Sequence, residues 1–257
     1  IKGKLFISLS KWLEQITYTN ADHIVCLSPG MKSELNKIIT NNKITVVTNL
    51  SDILKFKNTD DHLKINLPIK ENKALVLYAG SFGRINGLLY LVEIAKSIKE
   101  INSNICFLLV GDGYDKEKII KKSKEYGIYN SSLFCIDYFP KNKVPSVYSR
   151  ATISTSIFID IPEMENNSAN KFFDTLAAGK PIMINYGGWQ ADLLEKTGCG
   201  FRIPPNDAED SAIILNKIIN DEEQLEHMSK ASATLAKNFS VDTNYQKFEQ
   251  VIDSVII

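Results

Sequence analysis

From Ala74 onward the chain alternates short, almost wholly apolar runs with longer stretches whose apolar positions recur three and four residues apart. A continuous apolar run of four to eight residues fits a strand buried on both faces, and the three-and-four spacing fits a helix with one buried side. ALVLYAG (74–80) predicts the first such strand and GLLYLVEIAKSIKEI (87–101) the helix after it. ICFLLVGDG, SSLFCIDYF, TISTSIF, PIMINY and CGFRI predict five more strands. Between and after them KEKIIKKSKEYG, KVPSVYSRA, NKFFDTLAAG, WQADLLEKTG, DAEDSAIILNKIIND and DEEQLEHMSKASATLAKN read as helices. Strands separated by helices imply right-handed crossovers and a parallel sheet covered on both faces. The expected fold is a doubly wound α/β domain, Rossmann-like, over residues 71–238.

The first fifty residues follow a different rhythm. KLFISLSKWLEQITYTNA is helical, HIVCLS a strand, PGMKSELNKI a helix with Pro29 at its start, and KITVVTNL another strand. Two strands make a marginal core on their own, so residues 1–50 read as the closing remnant of another α/β domain. A polar stretch, 51–70, forms a linker, and residues 239–257 add a last helix after a break. The chain starts at Ile1 rather than Met, which fits a part of something longer.

Composition changes little in this picture. The 257 residues are 44% hydrophobic and 23% charged, as in a globular protein. Thirty basic residues balance thirty acidic ones, so no chain-wide field draws in nucleic acid or anionic membrane. No apolar run approaches the roughly 18 residues of a membrane-spanning helix, and no secretory leader is visible. Cys26, Cys106, Cys135 and Cys199 are far apart, match no zinc spacing, and read as reduced, buried thiols of a cytoplasmic protein. His23, His62 and His227 are scattered and read as structural or solvated. The basic run KEKIIKKSKEY reads as a solvated helix face.

Chemistry gathers at the predicted carboxyl ends of the strands, where open parallel sheets bind ligands. GSFGRING, Gly80 to Gly87, has glycines that let backbone amides approach a phosphate, followed by a helix start that favours anions. GDGYD follows the second strand, and IPEMENNSANK runs from the fourth into the helix NKFFDTLAAG at Ser168 or Asn170. That helix carries one acid, Asp174, five residues before Gly179. Asp is a poor helix-interior residue and is rarely buried without a partner. Facing the cleft, it can accept hydrogen bonds from the vicinal hydroxyls of a ribose, while Lys171 neutralises phosphate at the same helix end. The bland alternative is a surface pair of Asp174 with Lys171 or Lys180.

The blocks ADHIVCLSPGMKSEL, KITVVTNLSD, LYAGSFGRINGL, FLLVGDGYDKEKI, VPSVYSRATISTS and NKFFDTLAAGKPIMINYGGWQADLLEKTGCGFRIPPND resemble, in order, the second half of retaining glycosyltransferases of family 4, which have the two-domain GT-B fold. Within the family they look most like bacterial enzymes of capsule, O-antigen and colanic-acid assembly, including N-acetyl-L-fucosaminyltransferases. The resemblance implies a donor-binding half, with acceptor recognition in an N-terminal domain that residues 1–50 would close and the final helix would touch. It implies transfer of a hexosyl or N-acetylhexosaminyl group, with retention, from a nucleoside diphosphate, uridine by subgroup, to a hydroxyl of a lipid-linked or oligosaccharide acceptor. The fragment alone would be inactive.

Family roles carry over where positions agree. The ribose-binding glutamate of the family is matched by Asp174. Its partner eight positions earlier is matched by Asn166, which is not an anion; Glu163 and Glu165 are nearby substitutes. The glycine loop of many members has an Arg and a Lys where Ser81 and Asn86 stand here, so the cationic task falls to Arg84 and Lys171. Asn166, Arg84 and Lys171 are thus the expected catalytic groups. The donor would also contact Gly80, Ser81, Gly83, Asn86, Gly111, Gly113, Ser168 and Asn170, with the base against the backbone near Tyr138 and Phe139. No Asp-x-Asp metal clamp is found, so neither metal nor other cofactor is expected. Lys2, Lys4 and Lys11 with Trp12 and Tyr18 fit packing against the first domain, or a peripheral contact at the inner face of the plasma membrane. Three rivals remain at this stage: a nicotinamide oxidoreductase, whose Gly-x-Gly-x-x-Gly is not met although Asp112 could mimic its ribose carboxylate, a nucleotide-sugar epimerase of the same architecture, and a bare nucleotide-binding module.

Overall fold

The structure, a computed structural model, describes residues 2–39, 43–57 and 67–256; His62 and the rest of 58–66 in the expected linker lie outside the described residues, as do the side chains of Lys2 and Lys4. Six parallel strands form the main sheet: β3 (Ala74–Ala79), β4 (Ile105–Val110), β5 (Leu133–Ile136), β6 (Ile153–Ser156), β7 (Ile182–Ile184) and β8 (Gly200–Arg202). Their spatial order is β5-β4-β3-β6-β7-β8. The chain therefore builds outward from β3 in one direction, then returns to start again at β6 on its other side. That reversal leaves a crevice beyond the carboxyl ends of β3 and β6, the usual ligand position in this topology.

Both faces of the sheet are covered, as the unbroken apolar runs require. On one side Val76, Tyr78, Phe107 and Leu109 pack beneath α4 (Leu89–Ile101), α5 (Lys116–Glu125) and α9 (Ala208–Ile219). Leu75, Leu77, Cys106 and Leu108 point the other way, toward α6 (Val144–Arg150) and the short α3 (Ile53–Lys57). The period-2 alternation of a strand produces this division. Beyond β7, α7 (Asn170–Ala177), α8 (Trp189–Thr197) and α10 (Glu222–Ala236) share a third cluster.

A second, two-stranded parallel sheet pairs β1 (Ile24–Cys26) with β2 (Ile44–Val46), flanked by α1 (Lys2–Asn20) and α2 (Pro29–Ile38). α11 (Val241–Ile256) follows the break near Phe239. Its start lies against the segment after β2: the Ser51 amide donates to the Phe239 carbonyl at 2.7 Å, and Ser51 and Ser240 form an isolated bridge. α3 is an element that the pattern does not predict, since five residues are too few to show helical periodicity. The predicted helix over 87–101 starts two residues later, behind a 3-10 turn over Arg84–Asn86. All four cysteines are free thiols, Cys135 only partly buried. Among the described residues no helix is long and apolar enough to cross a membrane.

Candidate donor-binding site

α7 places the site. Phe172, Phe173 and Leu176 are fully buried, and each such side chain contributes on the order of 2 kcal/mol through removal from water. Phe173 meets Phe239 edge-on at 5.1 Å and Trp189 at 6.1 Å. With that face anchored, Lys171 and Asp174, three positions apart, share the opposite one. The helix closes at Gly179, whose φ of +62° favours glycine. Its start has no side-chain cap at Ala169, so the first amides of α7 are open to an anionic ligand. Beside them, the buried Ser168 hydroxyl and Asn167 amide oxygen have no hydrogen-bond partner among the described residues.

Lys171 reaches across the crevice to the glycine turn. Its Nζ donates to Asn86 Oδ1 at 3.2 Å and lies 5.2 Å from the Tyr78 ring and 5.4 Å from that of Phe158. Its stem lies against Gly80, where a Cβ would come within 3.2 Å. Burial pulls this ammonium down to about 8, with Asp174 opposing. Asn86 is itself buried and braces the turn, its Nδ2 donating to the Ser81 carbonyl at 3.0 Å; the Tyr78 hydroxyl donates to the same oxygen at 2.7 Å. Asn185 donates to the Phe158 carbonyl and accepts from its amide, fixing the next strand end.

Asp174 opens onto a cavity of about 360 Å³ walled by Asn170 and by the segment Thr48, Asn49, Leu50, Asp52 and Lys55. No ion pair to Lys171, Lys180 or Lys55 forms among the described residues, and Lys180 instead donates to the Ser149 carbonyl. Burial pushes the Asp174 carboxyl up to about 6, with Lys55 and then Lys171 opposing and Asp52 adding to the rise.

The strand-end loops after β3 and β4 interlock. The Phe82 amide donates to the Asp112 carbonyl at 2.8 Å and the Asp115 amide to that of Phe82 at 2.9 Å. Gly111 and Gly113 hold φ of +151° and +149°, and a Cβ on either would overlap the Gly80 or Phe82 backbone. Tyr138 stands exposed at this edge with its hydroxyl donating to the Asp112 carbonyl, while Phe139 is partly buried against α6. Gly83 precedes the 3-10 turn, its carbonyl accepting the Asn86 amide at 3.0 Å.

Arg84 and Asn166 take up other contacts. The Arg84 guanidinium lies 3.9 Å from the centre of the Tyr114 ring and lines a cavity with Gly87–Tyr90, Asp115, Phe158 and Asp160, beyond the ends of β3 and β6. A cation–π contact on an exposed ring is a weak tether, of roughly 0.5–1 kcal/mol. Asn166 turns to the N-terminal unit. Its side chain abuts Gly30, and its carbonyl accepts from the Ser28 hydroxyl at 2.6 Å. His23 bonds to Thr45, and His227 sits by Gly198.

Sequence reasoning missed the residues that hold this arrangement from outside. Asn49 Nδ2 donates to the Ser168 carbonyl at 2.5 Å, and the Ser51 hydroxyl to the Phe173 carbonyl at 2.9 Å. With Ser28, three polar side chains of the N-terminal unit and its exit segment thus clasp the backbone over Asn166–Phe173.

The model of the glycosyl transferases group 1 family matches residues 59–234, more than half of the chain. Among curated proteins, a lipopolysaccharide 1,2-N-acetylglucosaminetransferase of Salmonella typhimurium is 24% identical over 204 residues, covering 76% of this chain and 52% of that protein. Sucrose-phosphate synthase from Thermosynechococcus elongatus superposes with a TM-score of 0.77 at 17% identity, over 95% of this chain and 61% of its own. Anabaena HepE in complex with UDP gives 0.75 at 15%, over 91% of this chain and 64% of its own. The chain spans between a third and two thirds of the length of the curated relatives it matches. The structural likenesses carry the fold: a mostly parallel sheet with flanking helices, the Rossmann-like form of GT-B glycosyltransferases.

Proposed function

We infer that this chain, which belongs to the glycosyl transferases group 1 family, binds the nucleoside-diphosphate sugar for a retaining transfer to a hydroxyl of a surface-polysaccharide or lipopolysaccharide intermediate. The observation that carries the reading is the pair on one face of α7: a buried ammonium aimed at the glycine turn and a carboxylate opening into a cavity, joined to each other by no ion pair. Diphosphate at Lys171 and the uncapped start of α7, with ribose at Asp174, satisfies both groups at once.

As the glycosidic bond breaks, negative charge grows on the diphosphate. In this reading Lys171 and the uncapped start of α7 stabilise that charge. This chemistry calls on no metal or other cofactor. Asn166, whose side chain abuts Gly30 and whose carbonyl takes the Ser28 hydroxyl, is assigned to the contact with the N-terminal unit and not to the donor. Uridine is the proposed base, set against the edge formed by Tyr138, Phe139 and the Gly111–Gly113 loop. The name of the Salmonella relative makes UDP-N-acetylglucosamine the first donor to test.

In the proposed division, residues 71–238 hold the donor, 51–70 link, and residues 1–50 with the helix of 239–257 form the side from which a lipid-linked acceptor approaches, at the inner face of the plasma membrane. The test is a thermal-shift screen of nucleoside diphosphates and their sugars. A ligand at a hundred times its Kd stabilises by about 2.7 kcal/mol, which moves Tm by roughly 5–10 °C for a chain of this size. Uridine diphosphate should raise Tm by this much and Asp174→Ala should abolish the shift. Silence toward every nucleotide would remove the reading.

A further inference from the structure

We propose that Lys55 is a positioning residue of the donor site, facing Asp174 across the pentose cavity from the segment that leaves the N-terminal unit and keeping that carboxylate in the ionised form that grips ribose hydroxyls. The proposal rests on the reading of Asp174 given above and assigns the second wall of its pocket.

The geometry begins with α3. Phe56 is buried and stacks edge-on against Tyr148 at 5.3 Å, so the short helix is anchored on α6. Asp52 is occupied as a cap, Oδ1 accepting the Lys55 amide at 3.1 Å. Lys55, next to the anchor, emerges at the cavity rim with its ammonium 5.6 Å from the Phe56 ring. Among the described residues the charged and titratable groups around Asp174 are then four. Lys55 and Asp52 come from the exit segment, Lys171 from α7 itself, and Tyr148 from α6.

Of these, Tyr148 is a wholly buried phenol held protonated by its surroundings, and supplies no positive charge. Asp52 repels. Lys171 has its ammonium on Asn86 and, in the proposed complex, on diphosphate. Lys55, on the wall of the Asp174 cavity, is the cation among them that the diphosphate does not engage in the proposed complex. A carboxylate that burial already holds near neutrality is sensitive to such a charge: its loss drives the group further toward the protonated acid. The protonated acid accepts ribose hydroxyls poorly.

The experiment measures uridine diphosphate affinity of the chain by calorimetry from pH 5.5 to 8, for wild type, Lys55→Gln, Lys55→Arg and Asp174→Asn. Lys55 is exposed, so its variants should fold. Expected is a Kd ratio of Lys55→Gln to wild type of about five to ten at pH 6, shrinking toward one by pH 8, because a lost charge of this kind moves a carboxyl by roughly one pH unit. Lys55→Arg should follow the wild type. A direct contact to the ligand or a structural defect would give the same loss at every pH, and that outcome, or a profile that superimposes on the wild type, overturns the proposal. If uridine diphosphate binds and Asp174→Asn leaves its affinity unchanged, the donor reading of Asp174 has failed, and with it this role of Lys55.

Discussion

Lys171 Nζ donates to Asn86 Oδ1 at 3.2 Å across 85 positions of sequence. One neutral amide thereby joins α7 to the glycine turn, and no carboxylate is paired with the ammonium among the described residues. A largely buried cation with no counter-charge is costly in the free protein and is relieved by an anionic ligand. Lys171→Gln is expected to weaken uridine diphosphate binding by roughly tenfold to a hundredfold, the range of a charge-assisted hydrogen bond of about 1.5–3 kcal/mol. Lys171→Arg should recover only part of it, because a longer, planar guanidinium does not reproduce the compact ammonium's contact with Asn86. Calorimetric titration reads both.

Asp174 and Lys171 set opposite signs for stability and binding. Asp174 has a folded value near 6 against 3.8 unfolded; raised in the folded state, it favours folding fully below about 4 and loses that contribution as pH rises through 6. Lys171, depressed from 10.5 to about 8, favours folding above 10.5 and loses that contribution as pH falls through 8. At neutral pH both charged forms therefore destabilise the ligand-free chain. Asp174→Asn should raise its stability at pH 7 by on the order of 1–3 kcal/mol, with little change at pH 4, while binding is lost. Denaturant melts at the two pH values, with and without nucleotide, check both halves. In the wild type, affinity should fall below pH 6 as the carboxylate is protonated and decline again above pH 8 as Lys171 loses its proton.

The sheet is legible because burial on both faces forces apolar runs such as ICFLLV, and a strand slipped by one residue would still be buried. Asp174 is legible because an acid in an apolar helix needs a reason. The clasp is not. Ser28, Asn49 and Ser51 act on backbone carbonyls 119 to 138 positions away, and a carbonyl acceptor leaves no residue type to recognise. The partner of Arg84 is equally hidden. The position of Arg84 after the glycines is local, while the Tyr114 ring beneath its guanidinium belongs to the neighbouring loop. Asn166 has the sequence position of a cleft residue and the contacts of an interface residue, since Gly30 leaves room for its side chain.

Gly111→Ala tests the interlocked strand ends. A methyl there must occupy the space of the Gly80 carbonyl at a φ of +151°, so the loop after β3 has to move. The cost should be about 2–4 kcal/mol, seen as a Tm lower by roughly 5–15 °C. Gly127→Ala is the control. It also has a left-handed φ, +61°, but nothing within 4 Å of the added methyl, so it should lose only about 1 kcal/mol and keep its nucleotide affinity.

Ser28 does two things at once, and the two can be separated. Its hydroxyl oxygen accepts the Met31 amide at 3.0 Å, capping α2, and its proton goes to the Asn166 carbonyl at 2.6 Å. Glycine is a tolerable cap, costing a few tenths of a kcal/mol, but it has no hydroxyl to give. Ser28→Gly should therefore leave α2 in place and release the loop before α7, with amide exchange of residues 166–170 faster by about tenfold, the equivalent of one hydrogen bond of about 1.4 kcal/mol. Ser28→Thr keeps both donor and acceptor and should restore slow exchange. Uridine diphosphate affinity should change less than twofold in either variant, because Lys171 and Asp174 remain anchored through Phe172 and Phe173. Equal exchange in Ser28→Gly and wild type would mean that Gly30 and the fit of Asn166 against it hold the loop without the hydroxyl.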